Sequence, residues 1–176
     1  MMPTNNTPAL RGGRPRTTGV ERLAAAAMEA PEVLRGWPTP TSTPGVTMVP
    51  CGVAWDCIVV KEGAGRRVAD LLPSHDSAPG PVVADNSAGR AYFLVPKGTA
   101  TRWTPLSGTE AHGSTTTWIG IPTPSGPRTT RAEWVVPPDG RGTLTDPAAL
   151  RAAVAALLQE HGTLGAAATA RQEMPR

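Results

Sequence analysis

The segment Glu62-Gly63-Ala64-Gly65-Arg66-Arg67 stands between a β-branched apolar run and a segment with helical spacing. Free backbone N–H groups at a helix start, with the helix dipole behind them, can hold an anion at such a place. The segment lacks the lysine-hydroxyl ending of a Walker loop and the third spaced glycine of a dinucleotide site, so an ordinary structural turn competes with the anion reading. Arg90 and the pair Arg102-Trp103 are the other residues suited to phosphate or base contacts. A guanidinium binds phosphate through two parallel hydrogen bonds, and an exposed indole beside an arginine can stack a base. Arg66, Arg67, Arg90, Arg102 and Trp103 are therefore the candidate nucleotide or nucleic-acid contacts. Their ordinary alternatives are solvated arginines and a core tryptophan, because five Trp, one Tyr and one Phe are all the large aromatic surface the chain has.

Other reactive residues are less organised. His75, His112 and His161 have neither His-x-x-x-His spacing nor a neighbouring Cys pair, and no Gly-x-Ser-x-Gly elbow surrounds a serine. Cys51 and Cys57 fall six apart in a stretch that reads as one strand, 48–60. That spacing puts both on one face but roughly 20 Å apart at 3.3 Å per residue, too far to bridge, and the expectation is two buried small hydrophobes.

These groups must be positioned by short elements, since 19 glycines and 20 prolines punctuate 176 residues. Residues 1–17 read as a disordered basic arm with Arg11, Arg14 and Arg16; without those three, 14 basic residues face 14 acidic ones, so the rest is neutral. A basic stripe across a folded surface is thus not indicated, and any such footprint is confined to the arm or to local arginine clusters. One α+β domain is expected over 18–162, with a flexible tail at 163–176. No apolar run is long enough for a membrane span and no signal-peptide core is visible, so the expected location is the cytoplasm.

Thr18 and Glu21 have capping-box spacing and open an expected first helix, with Val20, Leu23, Ala24, Ala27 and Met28 on one stripe. Met48–Val60 is the best strand, with Val53, Trp55, Cys57 and Val59 on one face and Ala54, Asp56, Ile58 and Val60 on the other. Two apolar faces predict a strand covered on both sides, with Asp56 as the exception. A turn over 61–65 and a helix carrying Val68, Leu71 and Leu72 follow. The runs 81–85 and 91–95 flank a turn with Asn86 and Gly89 and read as a hairpin. A second pair of strands is expected at 116–121 and 133–136. Thr145-Asp146-Pro147 signals a last helix, with Thr145 as capping hydroxyl, Leu150, Val154, Leu157 and Leu158 as its stripe and Gly162 as its end.

Several segments then occur in the order found in the bifunctional primase-polymerase domain of the archaeo-eukaryotic primase superfamily, over roughly residues 20–140. Leu34-Arg35-Gly36-Trp37-Pro38 looks like that family's helix running into a Gly-Trp-Pro turn, and Cys51–Val60 resembles its strand ahead of the catalytic acids. Gly89-Arg90-Ala91-Tyr92-Phe93-Leu94-Val95-Pro96 is similar to its Gly-Arg-His-x-Tyr-Phe-x-Val-Pro strand, and 116–134 resembles its later strand, loop and closing Trp. The chain is also similar in texture to small actinobacterial proteins with Leu-Thr-Asp-Pro-Ala segments, and its bias of 15 Arg to 2 Lys agrees.

The residue pattern predicts an α+β domain with a small mixed or antiparallel sheet, one crossover helix and packing helices from 18–35 and 146–161, and the resemblance implies that this fold is primase-polymerase-like. It also implies nucleotide or single-stranded nucleic-acid partners and, in an active enzyme, Mg or Mn held by clustered carboxylates. The pattern is broken where the acids belong, because Val60-Lys61-Glu62-Gly63 stands in place of Asp-x-Asp, and the family histidine is missing beside Arg90. A degenerate, non-catalytic domain with residual nucleotide or nucleic-acid binding is the expectation, with no cofactor assigned. A regulatory protein-interaction module using Trp103 and the loop 122–131 is the alternative. An active nucleotidyltransferase would need Asp56, Glu62 or Asp85 to meet in space.

Overall fold

The computed structural model describes residues 45–72, 79–122, 130–139 and 141–172, excluding the side chains of Glu62 and of 161–172. The expected arm and first helix, the resemblance around Trp37, His75, and most of the loop 122–131 lie outside them. The described residues form seven strands and three helices: β1 Val46–Pro50, β2 Trp55–Lys61, α1 Glu62–Leu71, β3 Val82–Asp85, β4 Arg90–Pro96, α2 Thr99–Arg102, β5 Thr109–His112, β6 Trp118–Pro122, β7 Ala132–Val136 and α3 Pro147–Gln172. The five-stranded sheet has the order β5-β2-β4-β3-β7, and β1 and β6 form a separate two-stranded ribbon. The fold class is α+β, as the residue pattern predicts.

All paired neighbours are antiparallel. Because β2 and β3 both run against β4, which lies between them, they are parallel to each other, and α1 is the crossover that joins them. The β3–β4 hairpin closes through Asn86–Gly89, and Gly89 takes φ +62°, a left-handed value that glycine adopts without steric cost.

Alternation along β2 explains the layers. Ile58 and Val60 join Phe93, Val95 and Val82 against Val68 of α1, Leu72 just after it, and Leu150, Val154 and Leu157 of α3. Trp55, Cys57 and Val59 join Tyr92, Leu94 and Val83 against Val49, Ile119 and Ile121 of the ribbon. A strand sandwiched this way needs apolar residues at both parities, which is what its sequence shows. Fully burying one such aliphatic side chain stabilises by about 1.5–3 kcal/mol, so the two cores dominate the stability of the sheet.

Several local expectations are corrected. The run 48–60 is two strands in different sheets, because Gly52 adopts φ +74° and its N–H donates to Trp55 O at 2.8 Å, reversing the chain. A Cβ at Gly52 would fall 2.1 Å from Gly113 O, so both the φ value and the space require glycine. The residues expected as a turn, 62–65, are instead the first turn of α1. Gly65 lets that helix approach the sheet, since a Cβ there would lie 2.3 Å from Ala91 Cβ. β6 and β7 are not partners of one another: β6 pairs with β1 and β7 with β3, while Trp134 Nε1 donates to Pro122 O across 3.3 Å.

Asp146, not Thr145, caps α3. Its Oδ1 accepts the Ala149 N–H at 2.8 Å, whereas the Thr145 hydroxyl is buried without a partner among the described residues. The helix continues through Gly162 to Gln172, and Gly162 is not among the positive-φ glycines. Interior glycine costs only about 1 kcal/mol relative to alanine, which the Ala- and Leu-rich neighbours offset. Leu158 is 36% exposed and so lies at the margin of the stripe.

Candidate anion-binding cleft

β2 ends at Lys61 and β4 begins at Arg90, and these residues are register partners, so their side chains leave the sheet on the same face. Parity places both on the ribbon side, with Val59 and Tyr92 one step inward. They line a cleft of about 570 Å³ together with Gly63, Gly89, Gly108 and Glu110. A Cβ at any of those three glycines would meet nothing within 4 Å, so the walls are backbone facing open space. That volume lies within the ordinary range for a small-molecule site.

The electrostatics of the cleft favour an anion. Lys61 is the N-cap residue of α1, and no side chain caps the helix. The backbone donors of the first turn are therefore not taken by a cap side chain, and the partial positive charge of the helix end adds to the Lys61 ammonium. A cation at a helix N-terminus opposes the dipole, and such local conflicts with stability rules concentrate at functional positions. Among the described residues Lys61 makes no ion pair, while Arg90 Nη1 lies 3.6 Å from Glu110 Oε2. The same Oε2 is 3.4 Å from His112 Nε2. Burial, and then the Asp85 carboxylate, push the Tyr92 phenol above its ordinary value, with Arg90 acting in the opposite sense.

A smaller cavity of about 150 Å³ adjoins this face, lined by Met48, Asp85, Tyr92, Trp118 and Arg131 among others.

The remaining predicted contacts do not reach the cleft. Arg66 pairs with Glu133 of β7, and Arg67 Nη2 pairs with Glu160 Oε2 of α3 at 2.9 Å. Arg102 lies in α2, past the end of β4 opposite Arg90, with its guanidinium beside Gly98, and it is not among the residues that line the cleft. Trp103 is half-buried against the helical core. Its Nε1 donates to Thr109 Oγ1 at 3.3 Å, and the Arg151 guanidinium lies 5.8 Å from its ring. An indole held in this way is a packing residue, not an open stacking platform.

The three candidate carboxylates do not converge either. Asp56 is 2% exposed on the helical face near the start of β2, and its Oδ2 accepts the Ala100 N–H of α2 at 2.8 Å. Asp85 is at the opposite end and on the opposite face, where its Oδ1 accepts from Ser87 N, Ser87 Oγ and Ala88 N and fixes the hairpin turn. Glu62 begins α1 at that same end, and its side chain is outside the description. Among the described residues no group of three or more His, Cys, Asp or Glu side chains is placed to hold a metal ion.

Lys61, Glu110 and Tyr92 were not singled out by the sequence. The signal available was Lys61 itself, a cation directly before an uncapped helix start. Glu110 is on β5, a polar edge strand without alternation. Among the described residues no helix is long and apolar enough to cross a membrane. No family model, no curated protein and no solved structure matches this chain.

Proposed function

We propose that this domain binds a nucleotide through its phosphates at Lys61, Arg90 and the N-terminus of α1, without carrying out nucleotidyl transfer. The observation that carries this reading is the register pairing of Lys61 with Arg90 at the mouth of one cleft, beside uncapped backbone donors. Guanidinium and ammonium groups bind phosphate through charge-assisted hydrogen bonds of about 1.5–3 kcal/mol each. The primase-polymerase resemblance selects a nucleotide among anionic ligands, and the placement of Asp56 away from the cleft argues for a degenerate, non-catalytic form.

The test is titration of the purified protein with a labelled nucleoside triphosphate, with and without manganese. The reading expects Lys61→Ala/Arg90→Ala to weaken binding about tenfold or more, and Arg66→Ala/Arg67→Ala to leave it within about twofold. Loss of binding in the Arg66/Arg67 variant alone would move the site to the helical face.

A second reading, a regulatory protein-interaction module, is favoured by one observation. Leu71 of α1 and Leu158 of α3 are large apolar side chains left exposed. Absence of nucleotide binding by the wild type would favour it.

A further inference from the structure

The carboxylate of Glu110 occupies the part of the cleft where an anionic ligand would meet Arg90. Glu110 is the register partner of Val59 across β5 and β2, which places its side chain on the same face as Lys61 and Arg90. Its Oε2 lies 3.6 Å from Arg90 Nη1 and 3.4 Å from His112 Nε2. The Glu110 and Arg90 side chains are about half exposed, at 54% and 45%, so solvent screens the pair and a multivalent anion can break it.

We propose that Glu110 is a built-in counter-anion of the cleft: it pairs with Arg90 and has to surrender it when a polyphosphate binds. This inference rests on the nucleotide reading of the same cleft. Glu110 is a positioning residue that acts through Arg90, and its charge works against the ligand in two ways. The Arg90 pair has to be broken, and the displaced carboxylate then remains beside a bound anion. His112, whose Nε2 is already 3.4 Å from the same oxygen, is the partner that Glu110 can keep when Arg90 is taken.

The test uses inorganic tripolyphosphate as the probe, titrated into the wild type, Glu110→Gln and Glu110→Asp at low and at moderate salt. Melting temperatures are compared first to confirm that each variant folds. Glu110→Gln is expected to bind about three- to tenfold more tightly than the wild type at low salt, with the gain shrinking at moderate salt. Glu110→Asp, which keeps the charge, is expected to remain closer to the wild type. A merely structural role would not tighten binding on removal. Binding by the wild type with no gain in Glu110→Gln would overturn the role of Glu110 and leave the cleft standing. Binding by Glu110→Gln alone would support it strongly. No binding by either protein would sink the cleft reading and this inference together.

Discussion

Cys51 Sγ lies 3.5 Å from Cys57 Sγ, although the spacing along one continuous strand would put them far apart. The reversal at Gly52 folds β1's exit back over β2 and brings both thiols into the core between the ribbon and the sheet. Both remain free thiols and both are fully buried. Burial, followed by the contact with Cys51, pushes the Cys57 thiol well above its ordinary value.

Thiol reactivity follows from that arrangement. The thiolate is the reactive species, so a buried thiol with a raised pKa is inert. The native protein is expected to be unreactive toward an aromatic disulfide reagent at pH 8 over minutes, and to release two equivalents when unfolded in guanidinium. Rapid native reaction of either cysteine would mean that the ribbon opens readily from the sheet.

Asp56 is expected to matter for stability and not for ligand binding. Its Oδ2 accepts the Ala100 N–H, and the Gly113 backbone packs so closely that a Cβ there would lie 3.1 Å from the carboxylate carbon. Asp56→Ala leaves a backbone donor without its acceptor and should lower unfolding free energy by about 1–3 kcal/mol. Urea denaturation measures that loss, and the same variant should titrate nucleotide like the wild type. A selective loss of binding with unchanged stability would return Asp56 to the list of site residues.

Tyr92 predicts a loss of stability at alkaline pH. Its phenol is raised in the fold by burial and by Asp85, whereas an unfolded tyrosine ionises near pH 10. Above that pH the unfolded chain binds fewer protons than the folded one. The contribution is therefore intact below about pH 10 and falls as pH rises through the folded value. Tyr92→Phe should lose less stability than the wild type between pH 9 and pH 11 in urea titrations. The Cys57 thiol, also raised, contributes to alkaline loss in both proteins and cancels in the comparison. Equal losses in the two proteins would remove Tyr92 from the account.

The amino-acid order alone determined the features that depend on near neighbours. Alternation in 55–61 marks a strand with two apolar faces, Asn86 and Gly89 mark a hairpin turn, and Asp146-Pro147 marks a helix start. Each is a matter of local backbone preference or of side-chain period, and each survives in the fold. The break at Gly52 was hidden because β-branched and apolar residues continue on both sides of it, and the long-range approach of Gly113, which leaves no room for a Cβ there, is visible only in the fold.

The candidate site was the least legible part. Register, not composition, sets Lys61 opposite Arg90, and register is fixed by which faces of β2 and β4 are buried together. Four arginines and one indole of similar sequence prominence were separated only by packing. Glu133 and Glu160 engage Arg66 and Arg67, the core takes Trp103, the length of β4 removes Arg102, and Arg90 alone remains at the cleft. Charge and residue type are properties of the sequence, but convergence on a shared space is a property of long-range strand pairing, and only the tertiary structure decides it.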